Sequence, residues 1–226
     1  MSVLYIVASP IGNLEDITLR AIDTLKQADV VACEDTRHSR KLLTTYGIKK
    51  PLVSCNAYSE KASARNIMSH LMRGESVAYL SDAGTPGISD PGASLVQIVR
   101  DNGYRILPIP GVSAATALLS VCGVRGKGYV FEGFLSPKKG RRRKRLQQLV
   151  NFEMPFVLYE SPFRVIKLMG DLADICPNRP IVIGREMTKI HEEILDGTCS
   201  SVLQEISQRQ KILGEFTLLV AGKKKG

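Results

Sequence analysis

The chain has 226 residues, 44% hydrophobic and 23% charged, the make-up of an ordinary soluble globular protein, which excludes disorder, collagen and fibrous repeats. A chain of this length buries roughly 70% of its unfolded surface, needs no metal or disulfide to hold a core, and suggests one or two domains. Its 31 Lys and Arg against 22 Asp and Glu leave a net charge of +9, which suits a polyanionic partner such as nucleic acid.

The first half alternates β-rich runs with helical patterns. Residues 3–8 predict a strand, 16–28 a helix, 30–33 a strand, 36–46 a helix ended by Gly47, and 51–55 a weaker strand. Ile67, Met68, Leu71 and Met72 mark the buried face of another helix. A strand at 77–80 follows, then a helix that Pro91 opens and Gly103 closes, and 104–109 completes a mostly parallel sheet. In the second half, strands are predicted at 129–135, 155–159, 180–184, 192–195 and 215–221, with helices between them and mixed pairing. The fold class is therefore α/β. The Pro110 and Gly111 cluster separates an N-terminal α/β domain, 1–110, from a C-terminal α/β domain with a mixed sheet, 111–226. The tail from Lys223 is expected to fray.

The uncharged run 106–124, bounded by Arg105 and Arg125, approaches bilayer length. Pro108, Pro110 and Gly111 break it, and Ser113, Thr116 and Ser120 stud the rest, so it reads as a strand, a loop and a short core helix, with no membrane role. Five cysteines without a CxxC pair read as reduced thiols, and three histidines lack metal-ligand spacing, so no metal site is expected. The opening MSVLYIV has no basic region ahead of its apolar run. No cleaved signal is therefore expected, and the cytoplasm is the expected compartment.

No GxxxxGKS/T motif is present, and the first strand is followed by SPIGN, not GxGxxG. Three loops share one design: SPIGNLEDITLRA at 9–21, SDAGTPGISDPG at 81–92 and PGVSAATAL at 110–118. Each follows a predicted strand and precedes a predicted helix, which puts small residues and a helix N-terminus at the carboxyl edge of a sheet, where open α/β sheets bind ligands. Gly and Pro also collect in ordinary turns. Asp90 with Pro91, and Ser161 with Pro162, read as helix N-caps followed by first-turn prolines. Asp82 follows the apolar strand VAYL, where a short carboxylate faces the ligand crevice, and Ala83 and Gly84 let a ligand approach the backbone.

Together with ACEDTRHSRKLL at 32–43, GFLSPKKGRR at 133–142, YESPFR at 159–164, GREMTKIHEE at 184–193 and GEFTLLV at 214–220, these loops make eight blocks in order along nearly the whole chain. They resemble the class III, tetrapyrrole-methylase-type methyltransferases and, within them, the branch acting on small-subunit ribosomal RNA. The wider family carries a GPGD-like first loop, from which SPIGN departs as the rRNA branch does. Ser136 departs from that branch's usual Leu-Pro junction and touches only the local path of the basic loop.

The resemblance implies S-adenosyl-L-methionine as cofactor, lying in a cleft between the two α/β domains and held largely by backbone groups, and it implies a homodimer. Carried over residue by residue, cofactor contacts fall at Ile11, Asp82, Thr85, Ser113 and Ala114. Tyr159, Glu186 and Thr217 are looser correspondences, and for Tyr159 and Thr217 a packed strand position is an equal reading. The implied reaction is methyl transfer to the ribose 2′-hydroxyl of a cytidine in 16S small-subunit rRNA, presented as free rRNA or as the assembled small subunit. The alternatives are a same-fold enzyme acting on a tetrapyrrole or a protein side chain, disfavoured by SPIGN and the basic loop, and a non-catalytic rRNA-binding assembly factor, disfavoured by three intact small-residue loops.

Such chemistry needs the 2′-oxygen held in line and a proton taken from a weakly acidic hydroxyl. Glu34, Asp35 and Glu160 stand at strand ends. Asp35 and Glu160 are favoured as the catalytic carboxylates because EDTR and YESPFR pair each with an arginine suited to phosphate, Arg37 or Arg164. Asp35 also reads as a cap for the helix starting at Thr36. The basic loop 137–145, PKKGRRRKR, holds seven Lys or Arg, whose mutual repulsion is relieved if RNA phosphates neutralise them. This assigns Lys138, Lys139, Arg141, Arg142 and Arg143 to RNA contact, with Gly140 leaving the loop mobile until the substrate arrives. Lys189, Lys223, Lys224 and Lys225 are weaker candidates.

Overall fold

The computed structural model describes residues 2–55, 60–89, 92–124 and 128–223. It divides into two compact units, Met1–Ser113 and Ala114–Gly226. Asp90, Pro91, Arg125, Lys224 and Lys225 lie outside the described residues.

In the first unit, strands β1 (Val3–Val7), β2 (Val30–Cys33), β3 (Leu52–Ser54), β4 (Val77–Leu80) and β5 (Arg105–Ile109) alternate with helices α1 (Leu19–Gln27), α2 (Thr36–Thr45), α3 (Glu60–Met72) and α4 (Ala93–Asp101). All the strands pair in parallel, in the order β3-β2-β4-β1-β5. VVAC and VAYL are apolar without alternation because helices cover both faces of the sheet. Val31, Cys33, Ala78 and Leu80 pack with Leu25 of α1 and Leu42 and Leu43 of α2. Val30, Ala32, Val77 and Tyr79 pack with Ile67 and Leu71 of α3 and Leu95 and Val99 of α4.

The helix expected from Asp16 begins instead at Leu19, after a 3-10 turn over Leu14–Asp16. Thr18 sets that start, its Oγ1 accepting the Ala21 N–H at 3.1 Å.

The second unit contains β6 (Val130–Phe134), β7 (Phe156–Glu160), β8 (Pro180–Arg185), β9 (Glu193–Thr198) and β10 (Phe216–Val220), with α5 (Ala114–Val121), α6 (Lys139–Leu149), α7 (Val165–Ile175) and α8 (Cys199–Ser207). The strand order is β6-β7-β10-β8-β9, with β6 and β7 parallel and the other pairs antiparallel, so the sheet is mixed as expected. Leu146 and Leu149 of α6, Leu168 and Leu172 of α7, and Val202 and Ile206 of α8 pack with Phe156, Leu158, Ile183 and Leu218. Ala115 and Leu118 of α5 pack with Val157 and Leu219, which point to the opposite face.

Two expectations are corrected here. The basic segment is not a mobile loop, since Lys139 onward is the first turn of α6 and Gly140 lies within it. The N-cap residue of α7 is Arg164, not Ser161, whose carbonyl instead accepts the N–H groups of Arg164 and Val165 at 3.1 and 3.0 Å. The run 106–124 resolves into β5, a turn and α5, and among the described residues no helix is long and apolar enough to cross a membrane.

Candidate functional site

At the carboxyl edge of the first sheet, β2 and β4 are neighbours whose chain continues onto opposite faces, into α2 and α4. Such a switch point is where open α/β sheets hold ligands. Asp82, half-buried, stands just past β4, and its Oδ1 accepts the Asp35 N–H at 3.3 Å across the end of β2. Beside it, Ser9 and Gly84 form an isolated antiparallel bridge, with N–H to carbonyl distances of 2.9 and 3.1 Å. Ser81 Oγ donates to the same Gly84 carbonyl at 2.6 Å.

Gly84 has φ of 75°, a conformation that favours glycine, and a Cβ there would meet Ile11 Cγ2 at 3.5 Å and the Val112 carbonyl at 3.8 Å. A Cβ on Gly111 would lie 2.8 Å from Ala8 Cβ. The three loops therefore meet at Gly84, which faces Ile11 of the first and Val112 of the third; Asp82 and Thr85 lie within two residues of Gly84 along the chain, and Ser113 follows Val112. Ser9 Oγ is buried there with no hydrogen-bond partner among the described residues. The loop sequences gave no signal that singled this hydroxyl out. A small-residue cradle with a spare buried hydroxyl fits a cofactor held largely through main-chain groups.

Asp35 caps α2, its Oδ1 accepting the N–H groups of Arg37 at 2.8 Å and His38 at 3.4 Å. The Arg37 N–H leads in holding this carboxyl below its ordinary pKa, which makes it a weaker proton acceptor than a free carboxylate. The Arg37 side chain is 89% exposed, with Nε 3.6 Å from Asp35 Oδ1, and is open to a phosphate.

In the second unit, Tyr159, Thr217 and Gly184 fall in one register row across β7, β10 and β8. Tyr159 Oη accepts the Ala115 N–H at 3.2 Å, near the start of α5 that Ala114 opens. The Tyr159 ring stands edge-on to Phe131 and Phe134, at centroid distances of 5.2 and 5.7 Å. Tyr159 thus helps dock α5, and Thr217 is buried beside it. Glu186 adopts φ of 49°, and its Oε1 accepts Lys189 Nζ at 2.8 Å and the Glu215 N–H at 2.9 Å. Burial works to raise the Glu186 carboxyl, but those two donors bring it below its ordinary value. Lys189 is held in turn by Glu215 Oε2 at 2.8 Å.

Glu160 is buried, and its Oε1 accepts the Ser161 N–H at 2.9 Å. Its Oε2 lies 3.1 Å from Arg164 Nη2, close enough for ion pairing but too poorly aligned for a hydrogen bond. Arg164 Nη2 donates instead to the Leu135 carbonyl at 2.6 Å, while its Nε is buried with no hydrogen-bond partner among the described residues.

The basic segment is only partly a surface. Arg142 is buried, with Nε and Nη2 each 2.7 Å from Asp171 Oδ2, and is removed from the set of RNA contacts. Arg143 bridges Asp171 at 2.9 Å and Asp174 at 2.8 Å, and Arg145 forks onto Glu132 at 2.7 Å. The repulsion attributed to RNA-free charge is thus relieved internally for these three. Lys138, Lys139, Arg141 and Lys144 are exposed, with no ion pair among the described residues.

The sequence profile of the tetrapyrrole (corrin/porphyrin) methylases matches residues 3–203. Ribosomal RNA small subunit methyltransferase I of Borrelia garinii is 47% identical over 219 residues, covering 96% of this chain and 98% of its own. The protein of that name from Thermotoga maritima is 42% identical, covering 99% and 100%. Among solved structures, diphthine synthase superposes with a TM-score of 0.75 at 14% identity, over 100% of this chain and 92% of its own. Uroporphyrin-III C-methyltransferase from Thermus thermophilus, complexed with S-adenyl homocysteine, superposes with a TM-score of 0.68 at 19% identity, over 97% of each chain. Identities this low speak to the fold alone.

Proposed function

The chain belongs to the tetrapyrrole (corrin/porphyrin) methylase family, within the ribosomal RNA small subunit methyltransferase I group, and from that premise we propose that it 2′-O-methylates the ribose of a cytidine in small-subunit rRNA. The observation that carries the reading is the meeting of three small-residue loops around Gly84 and Ala8 at the sheet's switch point. S-adenosylmethionine, when bound, supplies a methyl group on a positively charged sulfur that is already an excellent leaving group.

Ile11, Asp82, Thr85, Ser113 and Ala114 would hold that cofactor, and Ser9 Oγ would add a hydrogen bond. Asp82 contributes the negative charge of the first unit's set, steadied by the Asp35 N–H. What remains for the chain is to fix the ribose 2′-oxygen and take its proton. Each favoured carboxylate gives one oxygen to main-chain N–H groups, Asp35 Oδ1 to its cap and Glu160 Oε1 to Ser161, but the cap holds Asp35 below its ordinary pKa, whereas Glu160 Oε2 faces the Arg164 guanidinium with no hydrogen bond among the described residues. Glu160 is accordingly our assignment for the proton. Lys138, Lys139, Arg141 and Arg37 grip phosphates. The same reading has the enzyme act in the cytoplasm, as a homodimer, on rRNA or on the assembled small subunit.

The test is transfer of label from methyl-labelled S-adenosylmethionine to small-subunit rRNA. A 2′-O-methyl blocks the internal attack that alkali uses, so label is expected in an alkali-resistant dinucleotide. Label released with the base overturns the ribose assignment, and no label in rRNA overturns the methyltransferase reading. Asp82→Asn keeps an acceptor for the Asp35 N–H but removes the charge. It is expected to weaken cofactor binding about tenfold or more, since hydrogen bonds to charged groups are worth about 1.5–3 kcal/mol.

A further inference from the structure

Phe163 is 88% exposed on the turn that follows β7. Burying a phenylalanine is among the larger single gains a fold can make, so one left in water at a pinned position invites a partner. The position is pinned: Ser161 O receives two N–H groups across the turn, and Arg164 Nη2 ties the turn to the Leu135 carbonyl just past β6. At the end of β6 stands a second partly exposed aromatic, Phe134, 54% exposed and in register with Tyr159. The same β6–α6 connection leads into the exposed cations Lys138, Lys139 and Arg141, which have no ion pair among the described residues.

We propose that Phe163 is a stacking platform for an unpaired nucleobase of the RNA, with the cations at the start of α6 holding the phosphates on either side. Exposed aromatic faces flanked by cations are how proteins hold single-stranded RNA, because every base offers a π-face and every linkage a charge. The rival occupant, the same patch on a second copy of the chain, is disfavoured by charge: a twofold interface sets the patch against itself and brings these cations onto their own copies. The inference rests on rRNA being the substrate.

The chain has no tryptophan, so Phe163→Trp introduces a single indole, excited apart from the seven tyrosines, at this position. Titration with an unpaired small-subunit rRNA oligonucleotide is expected to quench it. Phe163→Ala should weaken RNA binding and raise the KM for rRNA roughly five- to one-hundred-and-fifty-fold, the range that about 1–3 kcal/mol of base stacking converts to. Cofactor affinity and Tm should be unchanged, and Phe163→Tyr should restore RNA binding. Label transfer by the unaltered chain reads the parent assignment separately. With that transfer intact, an unchanged KM in Phe163→Ala and flat emission in Phe163→Trp overturn the platform alone. A Phe163→Ala chain that sediments as a smaller species assigns the residue to a contact between copies and overturns it too.

Discussion

Deleting the Asp171 carboxylate would strand Arg142. Both side chains are almost wholly enclosed, 6% and 5% exposed, and the guanidinium reaches Asp171 through two nitrogens. Asp171→Ala is expected to cost about 3–5 kcal/mol in denaturant unfolding, because it leaves an uncompensated buried cation, while Arg142→Met combined with Asp171→Leu should recover most of that loss. Loss below about 1 kcal/mol in the single variant would mean that Arg142 escapes to solvent. The sequence marks Arg142 and Arg143 as cations but is silent on their partners. Those carboxylates sit 28 to 31 residues away on α7, a separation that no local pattern encodes. Asp35 carries two readings in the sequence, a catalytic carboxylate and a cap, and the structure makes it a cap.

At the scale of the element, α6 shows how a helix can carry the sequence signature of a loop. Its buried residues Arg142, Leu146 and Leu149 keep the helical spacing of four and three, but an arginine stands where an apolar residue is normally expected. Lys, Arg, Leu and Gln are good helix formers, and Gly140 falls in the first turn, where α6 tolerates it. Cations at a helix N-terminus oppose the helix dipole, so Lys138, Lys139 and Arg141 stand where the helix itself gains nothing from them. Replacing all three by Gln is expected to lower the slope of log affinity for rRNA against log salt by about 2–3, leaving helical circular dichroism and Tm no lower. An unchanged slope would remove the start of α6 from the RNA surface. The strands were easier to read: VVAC and VAYL matched β2 and β4 because an apolar run between breakers has few alternatives. Thr18, three residues before Ala21, carried a cap signal for α1 that the apolar periodicity overrode.

For the whole molecule, acid sensitivity has a common sign. Ser76 holds Asp29 below its ordinary pKa, Arg73 does so for Glu75, and Arg209 for Glu193. Carboxyls depressed in the folded state contribute stability that is present above their unfolded values and lost as pH falls through the folded ones. Tm should therefore hold from pH 7 to about 5 and decline below about 4.5. Glu193→Gln should lower Tm at neutral pH and narrow the gap between pH 7 and pH 3, and an unchanged gap would deny the Arg209 pair its role. Strand order was the least legible property. Nothing in the sequence orders β3-β2-β4-β1-β5, because that choice depends on which helix covers which face. The Ser9–Gly84 bridge already joins two of the loops by paired main-chain bonds before any guest arrives. A molecule entering that cradle freezes few torsions of its host, so little of its binding enthalpy is offset by lost entropy, and the outline of the walls decides what is admitted.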